Sequence, residues 1–96
     1  MGIKISSAVI LKLSQKHGVT EEDVIQCFSN INGTFLIDNR EQHKPDPPTM
    51  WFISTTDTGR QLKVVFIKRE GDVHIRTAYQ PNETEMLIYN KFGANK

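Results

Sequence analysis

QLKVVFIKREGDVHIRTAY, residues 61–79, decides the fold. Two apolar-polar runs meet across Glu70-Gly71-Asp72, residues suited to a tight reversal, so the stretch predicts a central β-hairpin. Side chains alternate along a strand. Strict alternation puts Leu62, Val64 and Phe66 on one face of the first run and Lys63, Val65, Ile67 and Arg69 on the other. In the second run it puts Val73, Ile75, Thr77 and Tyr79 on one face, and His74, Arg76 and Ala78 on the other. One sheet surface should therefore present His74 and Arg76 together.

Working outward toward the N-terminus, Met50 to Thr56 reads as a strand that turns into the hairpin through Asp57-Thr58-Gly59-Arg60. Thr34 to Asp38 carries Phe35, Leu36 and Ile37 and reads as a first, short strand. Between them, Asn39 to Thr49 holds three prolines, at 45, 47 and 48. Proline cannot donate to a ladder, so this segment should be an extended loop. Ser6 to Lys16 has mostly helical apolar spacing, with Gly18 as its stop. Thr20 can cap a second helix whose first turn, Glu21, Glu22 and Asp23, suits the positive end of the dipole. Toward the C-terminus, Asn82 and Glu85 form a capping-box pattern opening a final helix with Met86, Leu87, Tyr89 and Phe92. The predicted architecture is α+β, with two N-terminal helices, a four-stranded mainly antiparallel sheet and a C-terminal helix.

Ninety-six residues that are 38% hydrophobic suit a single domain spanning 1–96. Twelve Lys and Arg against eleven Asp and Glu give a net charge of +1, so any basic surface must be local. The only cysteine, Cys27, falls in an apolar helical pattern; this excludes an internal disulfide and a cysteine-based zinc cluster, and predicts an inert buried thiol. With no apolar run near the ~18 residues of a membrane helix and no signal-peptide core, the expectation is a cytoplasmic protein with no membrane partner. His17, His43 and His74 fall in different predicted elements, and no metal site or cofactor is expected. Neither a Gly-rich phosphate loop nor a serine-hydrolase elbow is present, which argues against a small-molecule hydrolase.

The basic set Lys63, Arg69, His74 and Arg76 is the candidate for chemistry. Arginine or lysine can hold a scissile phosphate and stabilise the charge of its transition state, while histidine or tyrosine can transfer a proton near neutral pH. A solvated sheet face with cross-strand charge pairs accounts for the same residues.

Two blocks carry a resemblance: Lys16-His17-Gly18-Val19-Thr20-Glu21-Glu22 with Val24 and Phe28, and Leu62 through Phe66 with Ile75 through Tyr79, Glu85 and Tyr89. They resemble the BrnT family of bacterial toxins, within the wider RelE-like group of ribonucleases; Asp38 and Arg40 fit a further segment of the family pattern. The resemblance implies a RelE-like fold and metal-independent cleavage of RNA, including ribosome-bound messenger RNA, that inhibits translation. It also implies neutralisation by a cognate antitoxin protein, with a homodimer or a toxin–antitoxin heterotetramer as the assembly. On this reading Arg76 and Lys63 stabilise charge, His74 or Tyr79 transfers a proton, and Arg60, Lys68, Arg69, Lys16 and His17 contact RNA. The family has Ser-Ala-Arg where this chain has Thr77-Ala78-Tyr79, so an arginine expected at that strand end is absent. The rival reading is a non-catalytic RelE-like module that binds another protein.

Overall fold

The reversal at the centre of the chain takes just two residues. In the computed structural model, which describes residues 2–38 and 47–93, Glu70 and Gly71 have φ of 54° and 83°. Two successive positive φ values match the right-handed twist of the strands they join, which is why glycine takes the second position. They connect β4 (Gln61–Arg69) to β5 (Asp72–Tyr79), with Arg69 opposite Asp72. β3 (Thr49–Thr55) lies antiparallel on the other side of β4, and β2 (Leu36–Ile37) antiparallel outside β3.

The fold is α+β, with three helices and a mixed sheet among the described residues, but that sheet has five strands rather than four. The additional strand, β1 (Ile3–Lys4), runs parallel to β5 and completes the order β1-β5-β4-β3-β2. Two residues are too short to show alternation. Their place is set by partners distant in sequence: the Gly2 amide donates to Asp72 Oδ1 at 3.0 Å, and the Val73 amide to the Gly2 carbonyl at 2.8 Å.

α1 (Ser7–Lys12), capped by the Ser6 hydroxyl, runs into a π-helical turn over Leu13–His17 and stops at Gly18, whose φ is 60°. The π turn has no sequence signature here. α2 (Glu21–Ser29) opens with a reciprocal capping box between Thr20 and Asp23, and α3 (Glu83–Phe92) with one between Asn82 and Glu85. Each box satisfies two amides that a helix start would otherwise leave unpaired.

Helices cover both sheet faces. Phe52 and Phe66 meet Phe28 of α2 and the adjacent Phe35, with ring centroids 4.7–6.2 Å apart. Tilted and edge-on contacts of this kind add to the burial of each ring. Across the sheet, Trp51 packs against Tyr89 of α3 at 5.8 Å. Tyr89 donates from its hydroxyl to the Thr34 carbonyl, and burial pushes its pKa up. Cys27 is fully buried in the core. Its pKa is pushed up to about 11 by burial and then by Asp23, against a smaller opposing effect of Arg60. Such a thiol is a poor nucleophile. The expected extended loop begins at Asn39, and its residues 39–46, with Arg40 and His43, lie outside the described residues.

Candidate functional site

The alternation predicted for β5 fails at Arg76. Val65 is opposite Thr77 and Phe66 opposite Ile75, so Arg76 has no partner in β4 and forms a bulge. One inserted residue reverses the face of everything beyond it. Val73, Ile75 and Ala78 accordingly share the face of Phe66 and Val64, and all three are buried. His74, Thr77 and Tyr79 lie opposite Ile67, Val65 and Lys63, on the face that α3 covers. The expected common face for His74, Arg76 and Ala78 is therefore replaced by one shared by His74, Tyr79 and Lys63.

Lys63 is only 2% exposed. Its ammonium pairs with Glu85 Oε2 at 2.5 Å and lies 4.5 Å from the centroid of the Trp51 ring. Tyr79 donates to the same carboxylate oxygen at 2.9 Å, and the Asn82 amide donates to Oε1 at 3.0 Å. Burial alone would push the Glu85 pKa up; the Asn82 amide, Lys63 and Tyr79 outweigh it and hold the carboxyl below its usual range. Glu85 is thus ionised at neutral pH and joins helix to sheet. The His17 ring lies 5.6 Å from that of Tyr79. Arg60 donates to the His17 and Gly18 carbonyls, both at 2.8 Å, which satisfies acceptors that the helix end leaves open.

Arg76 and His74 both border a second place, although alternation sets the His74 side chain, with Lys4 beside it in β1, on the sheet face opposite Ile75. With Lys4 and Glu21 they line an open groove of about 590 Å³ at the outer edge of β5, between β1 and the first two helices. Its apolar wall includes Ile3, Ile5, Val9, Ile25 and Ile75. β1 pairs only with Val73 and His74, so it ends before the bulge and leaves that edge open.

The remaining candidates are dispersed. Lys68 is exposed, with its ammonium 5.3 Å from the centroid of the Phe35 ring. Arg69 is exposed at the hairpin turn, and Lys16 is exposed on the π-helical turn. The structure thus brings Lys63, Tyr79, His17 and Arg60 around one cluster, while Arg76 stands apart at the groove; His74 borders that groove and shares its sheet face with Tyr79 and Lys63. Glu85 and Lys4 are the residues the sequence reading left out. Glu85 entered the sequence reading as a helix cap and within the family resemblance, not as a site residue; its place in the first turn of α3, six residues past the end of β5, was the available signal for a second partner on the sheet.

Among the described residues no group of three or more His, Cys, Asp or Glu side chains could hold a metal ion, and no helix is long and apolar enough to cross a membrane. What fold and site define is an α+β chain with a buried Lys-Glu-Tyr cluster and an open, cation-bearing groove. No protein-family model matches the chain, and no curated protein sequence does.

Proposed function

We propose that this chain is a RelE-like toxin of the BrnT type: an endoribonuclease that cleaves messenger RNA, inhibits translation and is held inactive by a cognate antitoxin. The observation that carries the reading is an open groove at the edge of β5 whose lining includes Lys4, His74 and Arg76. There Arg76 and Lys4 hold the scissile phosphate and stabilise the charge that grows as the ribose 2′-hydroxyl attacks. His74 takes the hydroxyl proton, and the leaving oxygen receives one from solvent in the open groove. The two cations supply the positive charge, so the step calls for no metal. The apolar wall offers a surface for a base. Lys63 and Tyr79 serve instead to hold α3 against the sheet through Glu85. The Lys16-His17-Gly18 helix stop and the Glu85–Tyr89 helix, which carry the family resemblance, support the same reading.

Lys63 itself favours the second reading, a non-catalytic RelE-like binding module. A lysine spent on Glu85 cannot also grip phosphate, and the strand-end position where the family has arginine is Tyr79. Incubating the purified protein with RNA, with and without ribosomes, and mapping new ends separates the two. The nuclease predicts new ends that disappear in Arg76→Ala and His74→Ala while both variants stay folded. Intact RNA with folded wild-type protein, together with normal growth on induction, establishes the binding module.

A further inference from the structure

The groove at the edge of β5 has two unlike sides, and one of them carries a carboxylate that RNA would have to meet. Ile3 stands opposite Val73 and Lys4 opposite His74 across the parallel pair. Successive side chains of a strand alternate between the two sheet faces. Those of Lys4 and His74 therefore point one way, and those of Ile3 and Ile75 the other, toward the face on which α2 packs. On this second side stand Ile5, Val9 of α1 and Ile25 of α2, together with Glu21 from the first turn of α2. Cations thus border one side, and aliphatic side chains with a single acid line the other.

Of the three acids in that first turn, Asp23 is committed to the capping box and Glu22 lies outside the groove. The Glu21 carboxylate is exposed and has no hydrogen bond or ion pair among the described residues. The Ser6 hydroxyl beside it already accepts from the Val9 amide. In a groove that holds RNA, a free carboxylate repels phosphate and is favourable only against hydrogen-bond donors, which RNA carries on its bases and its ribose hydroxyls. Guanine presents two adjacent donors on one edge, N1–H and the N2 amino group, and the two oxygens of one carboxylate can accept both. Adenine, cytosine and uracil offer no such pair. The aliphatic side chains suit the apolar faces of a base, as in other small-ligand pockets.

We propose that Glu21 is a specificity-determining residue that selects guanine beside the scissile phosphate. The proposal rests on the nuclease reading of this groove and adds the base that the groove accepts. The phosphate lies with Arg76 and Lys4. The neighbouring base enters the aliphatic side, its faces against Ile3, Ile25 and Ile75 and its Watson–Crick edge toward Glu21. Single-stranded RNA leaves that edge free for such contacts. The division of the groove serves both needs, because it keeps the carboxylate on the side away from Lys4 and His74.

Fluorescence anisotropy at low salt tests this with the full chain and short RNAs that are 2′-O-methylated throughout, so that binding is read without cleavage. A uridine oligomer with one central guanosine should bind about tenfold more tightly than the same oligomer with adenosine there. Inosine, which lacks the N2 amino group, should fall between. Glu21→Gln, folded by circular dichroism, should remove that difference and bind the adenosine RNA no more weakly than the wild type, since a negative charge has left the groove. Glu22→Gln should keep the difference, and Arg76→Ala should weaken binding of all three RNAs alike. On unmodified RNA, new ends should lie beside guanosine in the wild type and beside any base in Glu21→Gln. Equal binding of the guanosine and adenosine RNAs by the wild type would overturn this proposal alone, as would a preference that survives Glu21→Gln. Failure to bind any of the RNAs would overturn the nuclease reading and this proposal with it.

Discussion

Lys63 and Arg76 are cations on adjacent strands with opposite surroundings. Lys63 points into the layer beneath α3, where Glu85, the Trp51 ring and Tyr79 enclose it. Arg76 stands at a bulge on an open sheet edge and is exposed. An ammonium withdrawn from water must be compensated in place, so Lys63 is committed to the fold. A guanidinium in water has no such commitment and remains available to a ligand. The contrast teaches that residue type nominates a site and burial decides whether the residue is free to serve it.

The comparison breaks most decisively at Glu85. Glu85→Ala strands Lys63 without its counter-charge and should cost about 3–5 kcal/mol of stability in urea denaturation. Replacing both partners with apolar residues, Lys63→Met with Glu85→Leu, should recover much of that loss, because no buried charge is then left alone. If Glu85→Ala is instead within 0.5 kcal/mol of wild type (the range of ordinary surface changes), the cluster does not anchor the helix.

The same pair sets a pH dependence. The carboxyl of Glu85 is held below its ordinary value of 4.5 in the folded chain. Between the folded and the ordinary value the unfolded chain binds more protons, so stability rises with pH across that window. The contribution is complete above the ordinary carboxylate value and is lost as pH falls through the folded one. Denaturation between pH 7 and pH 3 should show this loss in the wild type and a flatter profile in Glu85→Gln.

Smaller effects sharpen the boundary of the cluster. Tyr79→Phe removes one donor to an ionised acceptor and should cost about 1.5–3 kcal/mol, measurable as a lower urea midpoint with an unchanged slope. Arg60→Ala frees the His17 and Gly18 carbonyls at a surface where water replaces the guanidinium, and should cost about 1 kcal/mol. Arg76→Ala should leave stability within about 0.5 kcal/mol of wild type, yet reduce RNA binding at low salt by tenfold or more. A large loss of stability in Arg76→Ala would mean that the bulge, like Lys63, is structural.

Much of the architecture was open to reading because it depends on neighbours in sequence. Glu70-Gly71-Asp72 announces a tight reversal, Thr20 with the acidic turn after it and Asn82 with Glu85 announce helix starts, and Gly18 announces a stop; each is a steric, electrostatic or hydrogen-bonding demand met within a few residues. The run from Leu62 to Ile67 is apolar on both faces apart from Lys63, and the structure buries both. β1 escaped detection because two residues have no period. The π turn over Leu13–His17 escaped it because its bonding pattern leaves no mark in residue types.

The candidate site was harder to read for one reason: a strand's face is counted, and a bulge changes the count. Nothing in Ile75-Arg76-Thr77 signals the shift opposite Val65 and Phe66. That shift took Tyr79 to the face of Lys63 and left Arg76 at the edge. By itself, then, the sequence determined the reversals, the helix limits and the class of fold, because local sterics and capping set them. Only the tertiary structure decided which cation is buried and which is free, because burial depends on the register of distant strands and on where α3 lays Glu85 across them.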